Sequence, residues 1–242
     1  PLRNYQTRVA TGARADASID QGLRAYMLKV YNLMAMGLAI TGVAALGTMM
    51  LATTGDPSTA VATLPNGKML TNAGVALYGS PLRWVVMLAP LAMVFFLSFR
   101  VHKMSTSAAQ TTFWAFAAVM GISLSSIFLV YTSASIVQTF FITATAFGAL
   151  SLFGYTTKRD LSGMGSFLIM GVWGLLIAMV VNIFLQSSML EFAISAIGVL
   201  IFVGLTAYDT QQIKESYSES HTGEMLAKGA IMGALRLYLD FI

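Results

Sequence analysis

Apolar runs of helical length follow one another along most of the chain, at about residues 28–52, 84–99, 111–131, 136–155, 164–185 and 191–208. A seventh run starts near residue 229 and breaks off at Ile242. A bilayer core needs about 20 apolar residues per helix, somewhat fewer where flanking side chains snorkel. Six such runs with short connections predict membrane helices and not the core of a soluble domain. The second run is short and contains Pro90, which predicts a kink or tilt. Small residues punctuate the runs (Gly37 and Thr41, Gly121 and Ser125, Gly171 and Gly174, Gly198 and Gly204), and in lipid these let helices approach closely. The 28-residue stretch from Thr53 to Ser80 is polar and broken by Gly and Pro, so it predicts one long surface loop.

Composition sharpens this. The 242 residues are 57% hydrophobic and 10% charged, against about 25% charged in ordinary soluble domains. The expected fold is an all-α membrane protein with seven transmembrane helices. The absence of cysteine excludes disulfides and thiolate metal sites. The sixteen methionines are dispersed and read as adaptable apolar filler, not as a soft-metal path. A net charge of +4 is spread over short loops, which argues against nucleic acid as a partner.

The basic residues instead set an orientation. Arg3, Arg8, Arg14, Arg24, Lys29, Arg100, Lys103, Lys158, Arg159, Lys214 and Lys228 fall on one side, Lys68 and Arg83 on the other. The excess predicts a cytoplasmic N-terminus. The chain then divides into a polar cytoplasmic segment, 1–27, and a membrane domain, 28–242, with 53–80 as an outer loop. The first 25 residues lack the apolar core of a secretory signal, and both ends read as boundaries within a longer natural chain. The expected setting is multi-pass in a bacterial inner membrane, with the lipid bilayer as the first partner.

Two of the ten acidic residues stand where the pattern predicts hydrocarbon: Asp209 closes the sixth run and Asp240 lies inside the seventh. A charge at the centre of a membrane helix costs roughly 3 kcal/mol on insertion scales. Each has a structural explanation. Asp209 could be a helix-boundary residue already in water, with Lys214 and Glu215 close behind. Asp240 could pair along its own helix with Arg236, four residues earlier. Arg100, at the end of the second run, could be a snorkelling anchor. A functional reading joins them: two carboxylates from adjacent helices suffer desolvation and mutual repulsion, and both effects favour the neutral form. They would titrate as a coupled pair, with Arg100 able to hold one ionised. Such a pair is a pH-sensitive latch. With carbonyls and water it could form a weak transit site for calcium, which takes about six to eight oxygen ligands. His102 and His221 have no partner at ligand spacing, and no nucleophile triad, phosphate loop or dinucleotide fingerprint is present.

Several strings resemble the transmembrane Bax-inhibitor motif family, its bacterial members in particular. They are Tyr31-Asn-Leu-Met-Ala-Met-Gly-Leu-Ala-Ile-Thr-Gly42, Leu205-Thr-Ala-Tyr-Asp-Thr-Gln-Gln-Ile-Lys214 and Ala234-Leu-Arg-Leu-Tyr-Leu-Asp-Phe-Ile242. The resemblance implies a seven-helix bundle whose last helix is surrounded by the other six, and a pH-sensitive calcium leak across the membrane. By direct match it places the two-aspartate sensor on Asp209 and Asp240. More loosely, it places the accompanying arginine on Arg100. Arg236 adds a cation beside the sensor and, with Tyr208, is a candidate modulator.

Other functions compete with the leak. A regulatory protein that binds a membrane protease or stress factor fits the same sequence. An intramembrane aspartyl protease would carry Gly-x-Gly-Asp at its second aspartate, whereas Leu237-Tyr-Leu precedes Asp240; no enzyme is expected, and no cofactor. A cation/proton exchanger differs from the leak only in stoichiometry.

Overall fold

The computed structural model describes residues 2–218 and 220–242, with side chains from Gln21 onward except that of His102. The side chains of Arg3, Arg8, Arg14 and His102 therefore lie outside the described residues. The order of elements is α1 (Leu2–Ala52), β1 (Thr53–Thr54), β2 (Ala62–Thr63), β3 (Met69–Leu70), α2 (Asn72–Gly74), a π-helical turn (Val75–Gly79), α3 (Leu82–Arg100) and a 3-10 turn (Val101–Lys103). Then follow α4 (Thr106–Leu124), α5 (Ile127–Val130), α6 (Ser133–Thr156), α7 (Ser162–Leu185), α8 (Ser188–Glu215) and α9 (Gly223–Phe241).

Among the described residues six helical stretches are long and apolar enough to cross a membrane: Gln21–Ala52, Leu82–Arg100, Thr106–Val130, Ser133–Thr156, Ser162–Leu185 and Ser188–Glu215. Their outward residues could not face water. Phe184 and Met189 are each 83% exposed, with Phe192, Trp173 and Phe167 exposed on the same helices. Apolar area on that scale is tolerated only where lipid covers it. The protein is a multi-pass integral membrane protein. The seventh run forms α9, which carries Glu224, Lys228, Arg236 and Asp240 within 19 residues. Those charges separate α9 from the six. Ala230, Ala234, Leu237 and Tyr238 on it are nonetheless fully buried.

The chain forms two compact units, Asn32–Ile142 and a second that joins Pro1–Tyr31 to Thr143–Ile242. In the first, Phe113, Phe116, Ala109 and Ala117 of α4 are buried, as is Leu97 of α3. Gly121 lets α4 approach α1 closely: a Cβ there would stand 2.3 Å from the Thr41 carbonyl oxygen. The long loop is structured. β3 lies between β1 and β2, antiparallel to both, with Leu70 opposite Thr53 and Ala62. Gly67, at φ 82°, supplies the left-handed turn that connects β2 to β3. The third run does not form one unbroken helix, because α4 stops at Leu124. Ser125 Oγ donates back to the Ile122 carbonyl oxygen at 2.5 Å, and pairs with the Tyr78 hydroxyl at 2.6 Å. A serine that bonds the preceding turn competes with the helical ladder.

In the second unit α7 packs on α8 through Leu168, Ile201 and Leu205. Gly154 of α6 sits against the backbone of α8, where a Cβ would come within 2.2 Å of the Ala207 carbonyl oxygen. Ile213 of α8 meets Gly233 of α9. These close approaches fix the face that α8 turns toward each neighbour.

Candidate functional site

The position of Asp209 follows from that packing. On a helix, residues three and four apart share a face, so Ile213, which meets α9 at Gly233, places Asp209 on the same side. One turn beyond Arg236, Asp240 meets it. The two carboxyl groups are hydrogen-bonded to each other. Carboxylates have no donor, so the contact requires a proton on one of the two. Oδ2 of Asp240 is buried, and no N–H or hydroxyl donor among the described residues reaches it. That one oxygen is an unsatisfied buried acceptor. An arrangement of this kind is costly, about 1–3 kcal/mol per orphaned group.

Arg236 stands exposed beside the pair, and its guanidinium acts electrostatically on both carboxyls. It forms no ion pair with Asp240, so the intrahelical Arg–Asp pair expected as a structural alternative is not what the fold builds. Among the described residues the one ion pair is Lys228–Glu224, at 2.8 Å along α9. The reason is geometric: Asp240 is drawn inward to Asp209, whereas the longer Arg236 chain leaves its head at the surface.

Tyr208 goes elsewhere. Its ring lies over Gly165 of α7 and packs against the Leu168, Ile201 and Leu205 cluster. It therefore faces α7. Arg100 closes α3, exposed, in the other compact unit.

Several residues around the pair carry no signal in the bare spacing. Phe241, next to Asp240, meets Phe147 of α6 edge-on, with centroids 5.6 Å apart. Tyr31, Ser151 and Thr210 form a hydroxyl chain across three helices, at 2.5 Å and 3.0 Å, which ends where Thr210 donates to the Thr206 carbonyl oxygen at 2.7 Å. Gln211 ties the α6–α7 connection to α8: it accepts from the Leu161 N–H at 2.8 Å and donates to the Arg159 carbonyl oxygen at 2.7 Å. Lys214 donates to the Tyr155 carbonyl oxygen at 2.7 Å and lies over the Tyr155 ring. Tyr26 of α1 packs on Tyr217, with centroids 5.5 Å apart. The polar run Thr210-Gln-Gln-Ile-Lys214 was the available hint, because so many hydrogen-bonding groups at the end of an apolar helix need partners.

Comparison with known proteins agrees with the resemblance. The family described as "Inhibitor of apoptosis-promoting Bax1" matches residues 23–242. The chain belongs to the Bax inhibitor family. An uncharacterized protein of Caulobacter vibrioides is 46% identical over 95% of this chain and 88% of its own length. The Escherichia coli protein named "Inner membrane protein YbhL" is 44% identical over 95% of this chain and 92% of its own. The uncharacterized protein RP147 of Rickettsia prowazekii is also 44% identical, over 98% and 92%. The match to the Bax inhibitor family spans both compact units, so the carboxyl pair lies inside the shared region.

For a cation the pair is a sparse site. Among the described residues no group of three or more His, Asp or Glu side chains stands close enough to hold a metal ion. Asp209 and Asp240 alone would supply at most four oxygens, below the about six to eight that calcium takes. Such a donor set suits an ion in transit that keeps part of its water shell.

Proposed function

We propose that this Bax inhibitor family member is a pH-sensitive cation leak, with calcium as the transported ion and Asp209 and Asp240 as its gate. The single observation that carries the reading is two carboxyl groups from neighbouring helices within hydrogen-bonding reach of each other, with one buried oxygen otherwise unsatisfied. With the proton in place, the pair bonds α8 to α9. When the proton leaves, two like charges face each other in a medium of low dielectric, and the repulsion is relieved by helix separation or by a cation. A cation at that point would gain the orphaned Asp240 oxygen as a ligand. Arg236 sets the local potential, and Arg100 is the counter-ion that stabilises one aspartate in its charged form. No enzymatic step is assigned to the pair.

The same proposal includes the topology. α9 serves as the seventh span, central in the bundle, with the N-terminus cytoplasmic and residues 53–80 outside. Its four charges are consistent with a helix shielded from lipid, and the distribution of Lys and Arg supports the orientation. The name of the Escherichia coli relative supports an inner-membrane location.

The test is calcium flux into proteoliposomes from about pH 5 to about pH 8, a range that brackets the titration of buried carboxyls. Asp209→Asn/Asp240→Asn is expected to remove the pH dependence while the helical signal is unchanged, because asparagine can still bridge the helices but does not titrate. Arg100→Ala is expected to shift the profile along the pH axis. Wild-type flux at every pH in the double variant would show the aspartates to be structural. Absence of flux from the wild-type protein would overturn the leak and leave a regulatory protein that binds another membrane protein.

A further inference from the structure

A second site lies in the unit Asn32–Ile142, independent of the carboxyl pair. A cleft of about 460 Å³ opens where the loop hairpin, the start of α3 and the broken end of α4 meet. That volume falls within the range of small-molecule sites, about 300–1,000 Å³. Leu64, Leu77, Val86, Met87 and Leu129 form its walls. Its polar lining is small and one-sided: the Arg83 guanidinium, the hydroxyls of Ser123 and Ser126, the Tyr78 hydroxyl and the Asn66 amide, with no acidic residue.

Three of these groups are already committed. The Ser126 hydroxyl donates to the Ser123 carbonyl oxygen at 3.3 Å. Asn66 Nδ2 donates to the Leu129 carbonyl oxygen at 2.7 Å, and the Tyr78 hydroxyl pairs with Ser125. Lys68, beside the cleft, donates to the Phe128 carbonyl oxygen. Together they pin the loop over the last turn of α5, so the cleft has a fixed roof. Arg83 is different. It is exposed, has no acidic partner among the described residues, and lies over the Trp84 ring at 5.2 Å. Arginine stacked on tryptophan at the end of a membrane helix is characteristic of the headgroup layer. The lip of the cleft is continuous with lipid-facing surface: Met87 is 58% exposed and Val130 73%.

We propose that this cleft binds an anionic phospholipid. The phosphate is held by Arg83 with the Ser123 and Ser126 hydroxyls near it, and one acyl chain lies along Val86, Met87 and Leu129. The apolar walls require an apolar body, and an unpaired guanidinium with no carboxylate opposite requires an anionic head. The continuity with the lipid-facing surface makes the bilayer the source. The lipid belongs to whichever leaflet meets the N-terminal end of α3.

The experiment uses the full chain with Trp114→Phe and Trp173→Phe, which leaves Trp84 as the reporter, in vesicles with brominated phosphatidylglycerol or brominated phosphatidylcholine. Phosphatidylglycerol is expected to reach half-maximal quenching at about fivefold lower lipid fraction, the effect of one basic residue near an anionic headgroup. Arg83→Gln is expected to remove that difference, whereas Arg83→Lys keeps it. Ser126→Phe, which fills the cleft, should weaken quenching by both lipids. The proposal is overturned if Arg83→Gln retains the preference. It is also overturned if millimolar glycerol phosphate relieves the quenching completely, since the site would then hold a free phosphate. Equal quenching by both lipids in the parent protein overturns it as well.

Discussion

In the unit Asn32–Ile142 the buried hydroxyls end on backbone or on another hydroxyl: Thr41 donates to the Ala117 carbonyl oxygen at 2.8 Å, and Ser125 to that of Ile122. Loop side chains do the same, with Asn66 and Lys68 on the carbonyls of Leu129 and Phe128. In the other unit most polar groups follow this rule, as Thr210, Gln211 and Lys214 show. Asp209 and Asp240 break it, since each finds another acid. A polar group that ends on a carbonyl is satisfied in a single charge state and stabilises one conformation. A carboxyl that ends on a carboxyl is satisfied only while one proton is present, so its contribution depends on pH. Burial alone does not separate the two kinds. Satisfaction does.

This contrast can be broken by substitutions on either side of it. The largest loss of stability is expected at Gly154→Val, where the new side chain meets α8 backbone at 2.2 Å; overpacking should cost about 3 kcal/mol, read as a fall in the detergent-solubilised unfolding midpoint. Asp209→Asn/Asp240→Asn should flatten the dependence of that midpoint on pH, because two amides can bridge the helices without a titrating proton. A midpoint lowered equally at every pH in this variant would place the pair with the structural groups. Gln211→Leu strands the Leu161 N–H and the Arg159 carbonyl, and should lower the midpoint by about 2 kcal/mol. It should leave the pH dependence of flux intact. Asn66→Ala should cost about 1 kcal/mol and increase proteolysis within residues 53–80.

The smallest effect is at Asp160, whose carboxyl is held below the usual carboxylate range because it accepts from Ser162, including the backbone N–H. A depressed folded value means that its contribution is present above the unfolded pKa, about 3.9, and is lost as pH falls through the folded one. Asp160→Asn should therefore lower the midpoint slightly at neutral pH, with the difference vanishing in acid.

How much of this was legible in the sequence varies along the chain. The six spans were read to within a few residues at most of their ends, because apolar runs of bilayer length have few alternative meanings. The break after Leu124 was not, since Ser125 is compatible with a continuing helix until Tyr78 is brought beside it. The sheet within residues 53–80 was also missed; its strands are two residues each and leave no periodicity to detect. Asp209 and Asp240 were visible as charges in apolar runs. Tyr208 was grouped with them by adjacency, yet one residue along a helix is a turn of 100°, and that sends its ring to α7.

By itself the sequence determined that this chain enters a membrane, where six apolar helices lie and which carboxyls would have to be explained. Transfer of side chains from water to lipid is local and nearly additive, so a linear reading captures it. The tertiary structure alone decided which carboxyl meets which partner, and that Arg236 pairs with neither. It also decided that loop side chains close the end of α5. Hydrogen bonds and like-charge contacts depend on distances of a few ångströms between residues far apart in the chain, and glycines such as Gly121 and Gly154 set those distances only once the helices have packed.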